Sequence, residues 1–324
     1  MSLLRLQVRP ACGILRCHLG TSSTARVPAY KTQNFPRFQR PSRQMASVAK
    51  ATPLTIPHLT APSFEHARQR YHVDSVNEHL QQKGILKISL GFPDPDSQYL
   101  KELVISLHEH HGHQLPISHS ASQGWFWDVR PSSTSFQTAN HQARSETMEN
   151  FPWHTDCSYE ELPPRFFALH VLQHDRFGGG ALSIMNIQQL SESLSASTRT
   201  SLMRQEYNIT IPLEFIKEPT KQNIVGSILA ADQEGQPGIM RYRRDILTPL
   251  TERASKALQE LDMSLERTEA QSRSRVDLAA EDIPAGSIIL MNNHRWLHAR
   301  NNINDPKRHL RRVRWDAVPF PGAA

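Results

Sequence analysis

Residues 151–160 read FPWHTDCSYE, and residues 293–300 read NHRWLHAR. On an extended strand residues i and i+2 point to the same side, so His154 and Asp156 can hold one ion while His298 arrives from a distant strand. Two histidines and one carboxylate form a facial triad, which leaves open positions on Fe(II) for a chelating cosubstrate and for dioxygen. The two stretches therefore predict one metal site built from His154, Asp156 and His298.

The His-x-Asp pattern alone is weak, because a chain with 17 histidines produces such a pair almost by chance. A surface histidine beside an aspartate is the commoner explanation of the isolated motif. The interpretation of this motif as a metal site therefore depends on the sequence that surrounds it.

Length and composition suit one catalytic domain with accessory segments, since 324 residues can bury a substantial core. No apolar run is long enough to span a bilayer, so no membrane association is expected. The three cysteines, Cys12, Cys17 and Cys157, form no Cys-x-x-Cys pair, which disfavours a disulfide framework and a cysteine zinc site.

The basic charge is concentrated at the start of the chain. Residues 1–64 contain nine Lys or Arg and no acid, whereas the remainder has 28 basic and 31 acidic residues, a formal charge of −3. A nucleic-acid partner is therefore not expected, because its binding needs basic charge on the folded surface. We place a disordered basic leader at residues 1–62 and the catalytic domain at residues 63–324.

The leader has the Arg-rich, acid-free composition of a mitochondrial transit peptide, which predicts a mitochondrial location. A basic segment without any targeting role is an equal alternative. Translation from Met45 would give a cytoplasmic form.

Periodicity predicts a mainly β domain with flanking helices. Ser63 begins one helix, Asp74 a second that ends at Gly84, and Asp96 a third, while Thr251 caps a later one. The predicted strands are Ile85–Leu90, Trp125–Val129, Arg165–Leu172, Ala181–Asn186, Tyr207–Pro212, Ile283–Asn292 and His309–Trp315. Many short strands at irregular spacing indicate a β-sandwich or barrel.

The segments from Trp127 to Asn186 and from Ile283 to Trp315 resemble the taurine dioxygenase (TauD/TfdA) family, particularly its clavaminate-synthase-like fungal members. The matching motifs are FPWHTDCSYE at 151–160, PPR at 163–165, GGG at 178–180, NHRWLHAR at 293–300 and RHLRR at 308–312. The resemblance implies a double-stranded β-helix, or jelly-roll, with Fe(II) as the metal and 2-oxoglutarate as the cosubstrate.

Family precedent also implies roles for three arginines. Arg308 matches the arginine that pairs with the far carboxylate of 2-oxoglutarate, and Arg312 the one that binds an anionic group of the substrate. Arg144, in an Ala-Arg-Ser pattern, lines the active site or braces the strand that follows. The alternative for the 307–314 segment is a solvated basic strand, because Lys307, Arg311 and Arg314 crowd the same stretch.

Two departures from the family are visible. Many members place a threonine after the glycine turn, where its hydroxyl binds the cosubstrate carboxylate, but this chain has Ala181. Ser183 is the nearest substitute on that strand, so we expect it to bind the cosubstrate. The chain also lacks the cysteine-rich zinc module of the carnitine-pathway hydroxylases.

The resemblance implies that the protein hydroxylates, or desaturates, a small anionic substrate such as an amino-acid derivative, carboxylate or sulfonate. The reaction would consume dioxygen and 2-oxoglutarate and release succinate and carbon dioxide. Two alternatives remain, a catalytically silent jelly-roll that binds ligands and a hydroxylase of protein or peptide side chains.

Overall fold

The computed structural model describes residues 55–118, 124–132, 136–138, 141–270 and 275–322, without the side chains of 268–270. The proposed targeting segment and Met45 lie outside the described residues. The strands are β1 (His58–Ala61), β2 (Ile85–Leu90), β3 (Phe126–Val129), β4 (Phe151–His154), β5 (Pro164–Gln173), β6 (Leu182–Asn186), β7 (Tyr207–Thr210), β8 (Asn223–Gly226), β9 (Leu229–Ala230), β10 (Ile239–Met240), β11 (Leu247–Pro249), β12 (Arg275–Leu278), β13 (Ser287–Asn292), β14 (Trp296–Arg300) and β15 (His309–Ala317). The α-helices are α1 (Arg70–Gln82), α2 (Gln98–His111), α3 (Ile187–Glu192), α4 (Ala196–Leu202) and α5 (Glu252–Ala270).

Two sheets face each other across a common core. The larger has the order β1-β2-β13-β5-β15-β3 and the smaller the order β12-β6-β14-β4. Side chains alternate along each strand, so Phe167 and Ile289 of the larger sheet meet Leu182 and Ile184 of the smaller sheet in one buried cluster. Non-consecutive strands are neighbours in both sheets, and the predicted double-stranded β-helix with flanking helices is confirmed.

Helices cover the outer faces of both sheets. Val76 of α1 and Leu103 of α2 pack with Phe166 and Leu290 of the larger sheet. On the other side, α3, α4, α5 and the strands β7, β8 and β11 cover the smaller sheet through buried residues that include Met185 and Leu297. Among the described residues, no helix is both long and apolar enough to cross a membrane.

Several element boundaries in the structure differ from those predicted from the sequence. β1 pairs in parallel with β2 although its residues were assigned to the leader, so the predicted boundary after residue 62 is too late. Ser63 precedes a short 3-10 helix, Phe64–Ala67, and α1 begins at Arg70 rather than Asp74. β13 begins at Ser287 rather than Ile283, since Gly286 has a φ of +85° that ends the preceding turn.

Candidate metal centre

His154 is the last residue of β4 and is directly opposite His298 of β14 in the strand register. Its Nδ1–H donates to the carbonyl of Pro152 at 2.8 Å, which leaves the Nε2 lone pair for a metal. The ring of Phe151 stacks on the imidazole with centroids 3.7 Å apart. Burial lowers the pKa of His154 well below its ordinary value, and the nearby His298 lowers it further, so the ring is neutral.

Asp156 does not lie on the strand as the i, i+2 argument predicted, because β4 ends at His154 and Asp156 is in the turn that follows. Asn293, in the loop between β13 and β14, holds this turn. Its Oδ1 accepts the backbone N–H of Asp156 at 2.7 Å, and its Nδ2 donates to the carbonyl of Asp156 at 2.9 Å. Side-chain clamping, rather than strand geometry, directs the carboxylate toward the histidines.

The three predicted ligands come together. One ligand atom from each of His154, Asp156 and His298 lies within 4.8 Å of the others, and all three residues are buried. Asp156 Oδ1 is 3.8 Å from the Nε2 of each histidine. No other such group of His, Cys, Asp or Glu exists in the described part of the chain.

The carboxylate of Asp156 lies beside two buried arginines. Arg312 Nη1 donates to Oδ1 at 3.0 Å, and Arg314 Nη1 lies 4.0 Å from Oδ2. Burial alone would raise the pKa of Asp156, but Arg312, the nearby His298 and Arg314 together hold it well below its ordinary value. The site therefore presents an ionised carboxylate and at least one neutral imidazole, the protonation states that divalent metals require.

These residues fit an Fe(II) ion. Asp156 Oδ2 and His298 Nδ1 are buried without a hydrogen-bond partner among the described residues. A buried polar atom without a partner is costly, and coordination by Oδ2 would remove one such cost. Three protein ligands also leave open positions, as the facial triad of non-haem iron enzymes does.

A cavity of about 40 Å³, here called the inner cavity, lies beside His154 and His298 between the two sheets. Arg308 and Arg312 both line it, together with the apolar side chains of Phe167, Leu169, Leu182 and Leu310. Arg308 lies just before β15 and is buried, and its Nη2 donates to the carbonyl of Gly180 at 3.2 Å. A Cβ at Gly180 would lie 2.5 Å from Arg308 Nε, so the glycine turn makes room for this arginine.

Arg300 lines the same cavity. Burial, with the charges of neighbouring arginines, lowers the pKa of Arg308 to about 9 and that of Arg300 to about 10, so both are cationic at neutral pH. The carboxylate of Asp175 opposes this lowering of the pKa of Arg308 but forms no ion pair with it. This carboxylate is occupied by the backbone N–H groups of Asn304 and Asp305.

Ser183 is not brought to the inner cavity, contrary to its predicted role. Its strand neighbours Leu182 and Ile184 face the core, so Ser183 faces outward, and its hydroxyl donates to Asp277. It lines a separate surface depression with Arg275 and Pro152. The alternation of β6 therefore directs Ser183 away from the position expected for the cosubstrate.

A second cavity of about 30 Å³, here called the outer cavity, is lined by His154 and Asp156. Arg144 lines this cavity, and Arg312 lines both cavities. Arg144 Nη2 donates to the carbonyl of Asn150 at 3.2 Å, and its guanidinium lies 5.8 Å from the ring centroid of Phe151. Arg144 therefore braces the entry to β4.

Four residues of the site carried no signal that the sequence reasoning used. Arg300 follows His298 by two positions and so shares its strand face, a signal that was present but unused. Asn293 belongs to the NHRWLHAR motif, but nothing in the motif indicates a contact with the turn that holds Asp156. Glu214 and Arg243 lie in separate short 3-10 helices or at their borders, where no periodicity could connect them to the metal ligands.

Comparisons with known proteins agree with this geometry. A sequence model described as taurine catabolism dioxygenase TauD, TfdA family matches residues 51–314. A solved asparagine oxygenase in complex with Fe(II), 2S,3S-3-hydroxyasparagine and succinate is similar, with a TM-score of 0.59, 16% identity, and coverage of 80% of this chain and 93% of that chain. The non-heme iron oxygenase OrfP in complex with Fe and alpha-ketoglutaric acid gives a TM-score of 0.57 and 16% identity, covering 77% of this chain and 82% of that chain.

Proposed function

Because the chain belongs to the taurine catabolism dioxygenase TauD, TfdA family, we propose that it uses Fe(II), 2-oxoglutarate and dioxygen to hydroxylate or desaturate a small organic substrate with an anionic group. The observation that carries the proposal is the buried cluster of His154, Asp156 and His298, whose ligand atoms converge within 4.8 Å. Hydroxylation would convert one substrate C–H bond to C–OH and 2-oxoglutarate to succinate and carbon dioxide.

In this proposal the inner and the outer cavity bind different ligands. Bound iron would supply the redox chemistry with dioxygen and chelate the 2-oxo acid end of the cosubstrate. Arg308 would bind the far carboxylate of the cosubstrate in the inner cavity, where apolar walls exclude water and strengthen the ion pair. The outer cavity would then hold the substrate.

The charges that line the outer cavity favour an amino-acid derivative among the possible substrates. Arg243 is paired with Asp245, and Arg312 with Asp156. Arg314 contacts the Cys157 sulfur at 2.6 Å. Two charges are not compensated in this way, because Arg144 binds a neutral carbonyl and the half-buried Glu214 has no hydrogen bond or ion pair in the described chain.

One free cation and one free carboxylate are complementary to a zwitterion. We therefore assign the substrate carboxylate to Arg144 and Arg312 and its ammonium group to Glu214. The ligands of the two similar oxygenases, hydroxyasparagine and, for another OrfP complex, (3S)-hydroxy-L-Arg, agree with this substrate class. A sulfonate or simple carboxylate would leave Glu214 without a partner.

We also propose that the protein is most similar to the clavaminate-synthase-like fungal members of the family, that the start of the chain is a leader and that this leader directs import into mitochondria. Fractionation of cells that express the chain from Met1 or from Met45, each with a C-terminal tag, tests the last two.

The cofactor chemistry is tested by anaerobic titration of metal-free protein with Fe(II) and 2-oxoglutarate. We expect the visible charge-transfer band of the chelate in the wild type and in His110→Ala, an exposed histidine of α2, but not in His154→Ala. Absence of the band in the wild type at saturating cosubstrate would contradict the dioxygenase proposal and favour the silent binding module.

The substrate class is tested by succinate formation with a panel of amino acids and their desamino analogues. We expect the amino acids, but not their desamino analogues, to stimulate turnover. Glu214→Gln should reduce this stimulation at least tenfold and leave the charge-transfer band unchanged. Equal stimulation by the desamino analogues would refute the role of Glu214. Stimulation by peptides alone would favour the side-chain hydroxylase.

A further inference from the structure

Arg300 occupies an inward-facing position beside the metal ligands. It follows His298 by two residues on β14 and pairs with Leu182 of β6, so its side chain shares the core-facing side of the sheet with both. The residue is 7% exposed and lines the inner cavity.

The hydrogen bonds of Arg300 use only part of its guanidinium. Nη2 donates to the carbonyls of Glu149 at 2.8 Å and Thr147 at 3.3 Å. Nη1 is buried and has no partner among the described residues. Fastening the 147–149 segment therefore accounts for one nitrogen of Arg300 and leaves the other unexplained.

Arg308 has the same arrangement. Its Nη2 donates to Gly180, while its Nη1 is buried without a partner. No carboxylate of the described chain forms an ion pair with either Arg300 or Arg308, whereas Arg312, in the same cavity, is matched by Asp156. Two buried cations without counterions are strongly unfavourable unless an anion joins them.

The anion that this arrangement fits is a carboxylate at the end of a short chain. The inner cavity has apolar walls, the side chains of His154 and His298 at one side and two guanidinium groups without an ion-pair partner. A carboxylate has two oxygens, so it can accept hydrogen bonds from two arginines at once.

We propose that Arg300 and Arg308 together bind the far carboxylate of 2-oxoglutarate, each through its unpartnered Nη1 group. This inference rests on the proposed function. It assigns Arg300 as a cosubstrate-binding residue that selects a dicarboxylic 2-oxo acid.

The test compares 2-oxoglutarate with 2-oxopentanoate, which keeps the chelating end and replaces the far carboxylate by a methyl group. Anaerobic Fe(II) titrations that follow the charge-transfer band give the dissociation constant of each ligand. The dissociation constant of 2-oxopentanoate divided by that of 2-oxoglutarate measures recognition of the far carboxylate and does not depend on turnover. The variants are Arg300→Gln, Arg300→Lys and the matched control Arg275→Gln, which alters an arginine on the outer side of the same sheet.

We expect Arg300→Gln to reduce this ratio tenfold or more, because it weakens the binding of 2-oxoglutarate but not that of 2-oxopentanoate. Arg275→Gln should leave the ratio unchanged. Arg300→Lys keeps the charge but cannot reach the carbonyls and the carboxylate together, so it should reduce the ratio severalfold. This variant serves as the test if Arg300→Gln does not fold. A ratio equal to that of the wild type in either folded variant would overturn the inference. Wild-type protein that binds neither 2-oxo acid would instead contradict the proposed function.

Discussion

Asn293 holds both sides of the backbone of Asp156, accepting from its N–H at 2.7 Å and donating to its carbonyl at 2.9 Å. The same amide nitrogen donates to the carbonyl of Pro164 at 2.9 Å, so one fully buried side chain joins the metal-ligand turn to the start of β5. The ligand that lies outside a strand is thereby positioned by a residue that contacts no metal.

We expect Asn293→Ala to weaken metal binding about 10- to 100-fold, as loss of a supporting contact around a metal ligand typically does. Fe(II) or Co(II) titration of the purified variant measures this effect. The control is Asn301→Ala, whose Oδ1 accepts a single backbone N–H from Ala181. Equal metal affinity in wild type and Asn293→Ala would show that the turn holds its shape without the clamp.

Arg312→Met should destabilise the metal-free protein by about 3 kcal/mol or more, because it leaves the buried carboxylate of Asp156 without its closest cation. Urea unfolding in the presence of a chelator measures the free energy of unfolding. Its neighbour Arg311 pairs with Asp128 near the surface at 2.9 Å, so Arg311→Met should cost about 1 kcal/mol or less. Similar losses for both variants would contradict the buried-pair argument.

Gly180→Ala should impair cosubstrate binding, because the new Cβ would meet Arg308 Nε at 2.5 Å and displace the guanidinium. Gly178→Ala is the matched control, since φ is +79° there and +65° at Gly180, but no atom lies within 4 Å of a Cβ at Gly178. Both variants should lose about 1 kcal/mol of stability through backbone strain. Only Gly180→Ala should raise the dissociation constant of 2-oxoglutarate. If both variants raised it, strain in the turn rather than displacement of Arg308 would be the cause.

Acid should destabilise the protein through histidines remote from the metal. Burial lowers the pKa of His113 and of His170 to about 4 from an ordinary value of 6.5. Between these values the unfolded chain binds protons that the folded chain does not, so stability is complete above pH 6.5 and falls as the pH decreases toward 4. Each histidine contributes at most about 1.4 kcal/mol per pH unit.

Urea unfolding of metal-free protein at several pH values between 7 and about 4.5 measures that slope. His170→Asn can retain a hydrogen bond to Ser97, which lies 2.9 Å from His170 Nδ1, and it removes the titrating ring. The variant should show a smaller decline in stability over this pH range. A slope identical to that of the wild type would exclude His170 as a source of the acid sensitivity.

Much of the fold was predictable from local pattern. β2 has the predicted bounds, and Thr251 accepts the N–H of Ala254 at 3.1 Å at the start of α5, as a capping residue should. Short strands such as β8, β9 and β10 escaped prediction because two to four residues carry too little periodicity. The start of the sheet at β1 escaped it because a polar-flanked four-residue strand resembles the preceding leader.

The sequence by itself indicated the metal ligands, the family and three of the arginines that border the site, Arg144, Arg308 and Arg312, because residue type and spacing carry that information without coordinates. Only the tertiary structure decided where each side chain points. Strand alternation turned Ser183 outward and Arg300 inward, the end of β4 left Asp156 to be oriented by Asn293, and burial without counterions distinguished Arg300 and Arg308 from the paired Arg312. These outcomes depend on register and on contacts between distant segments, which one-dimensional spacing cannot specify.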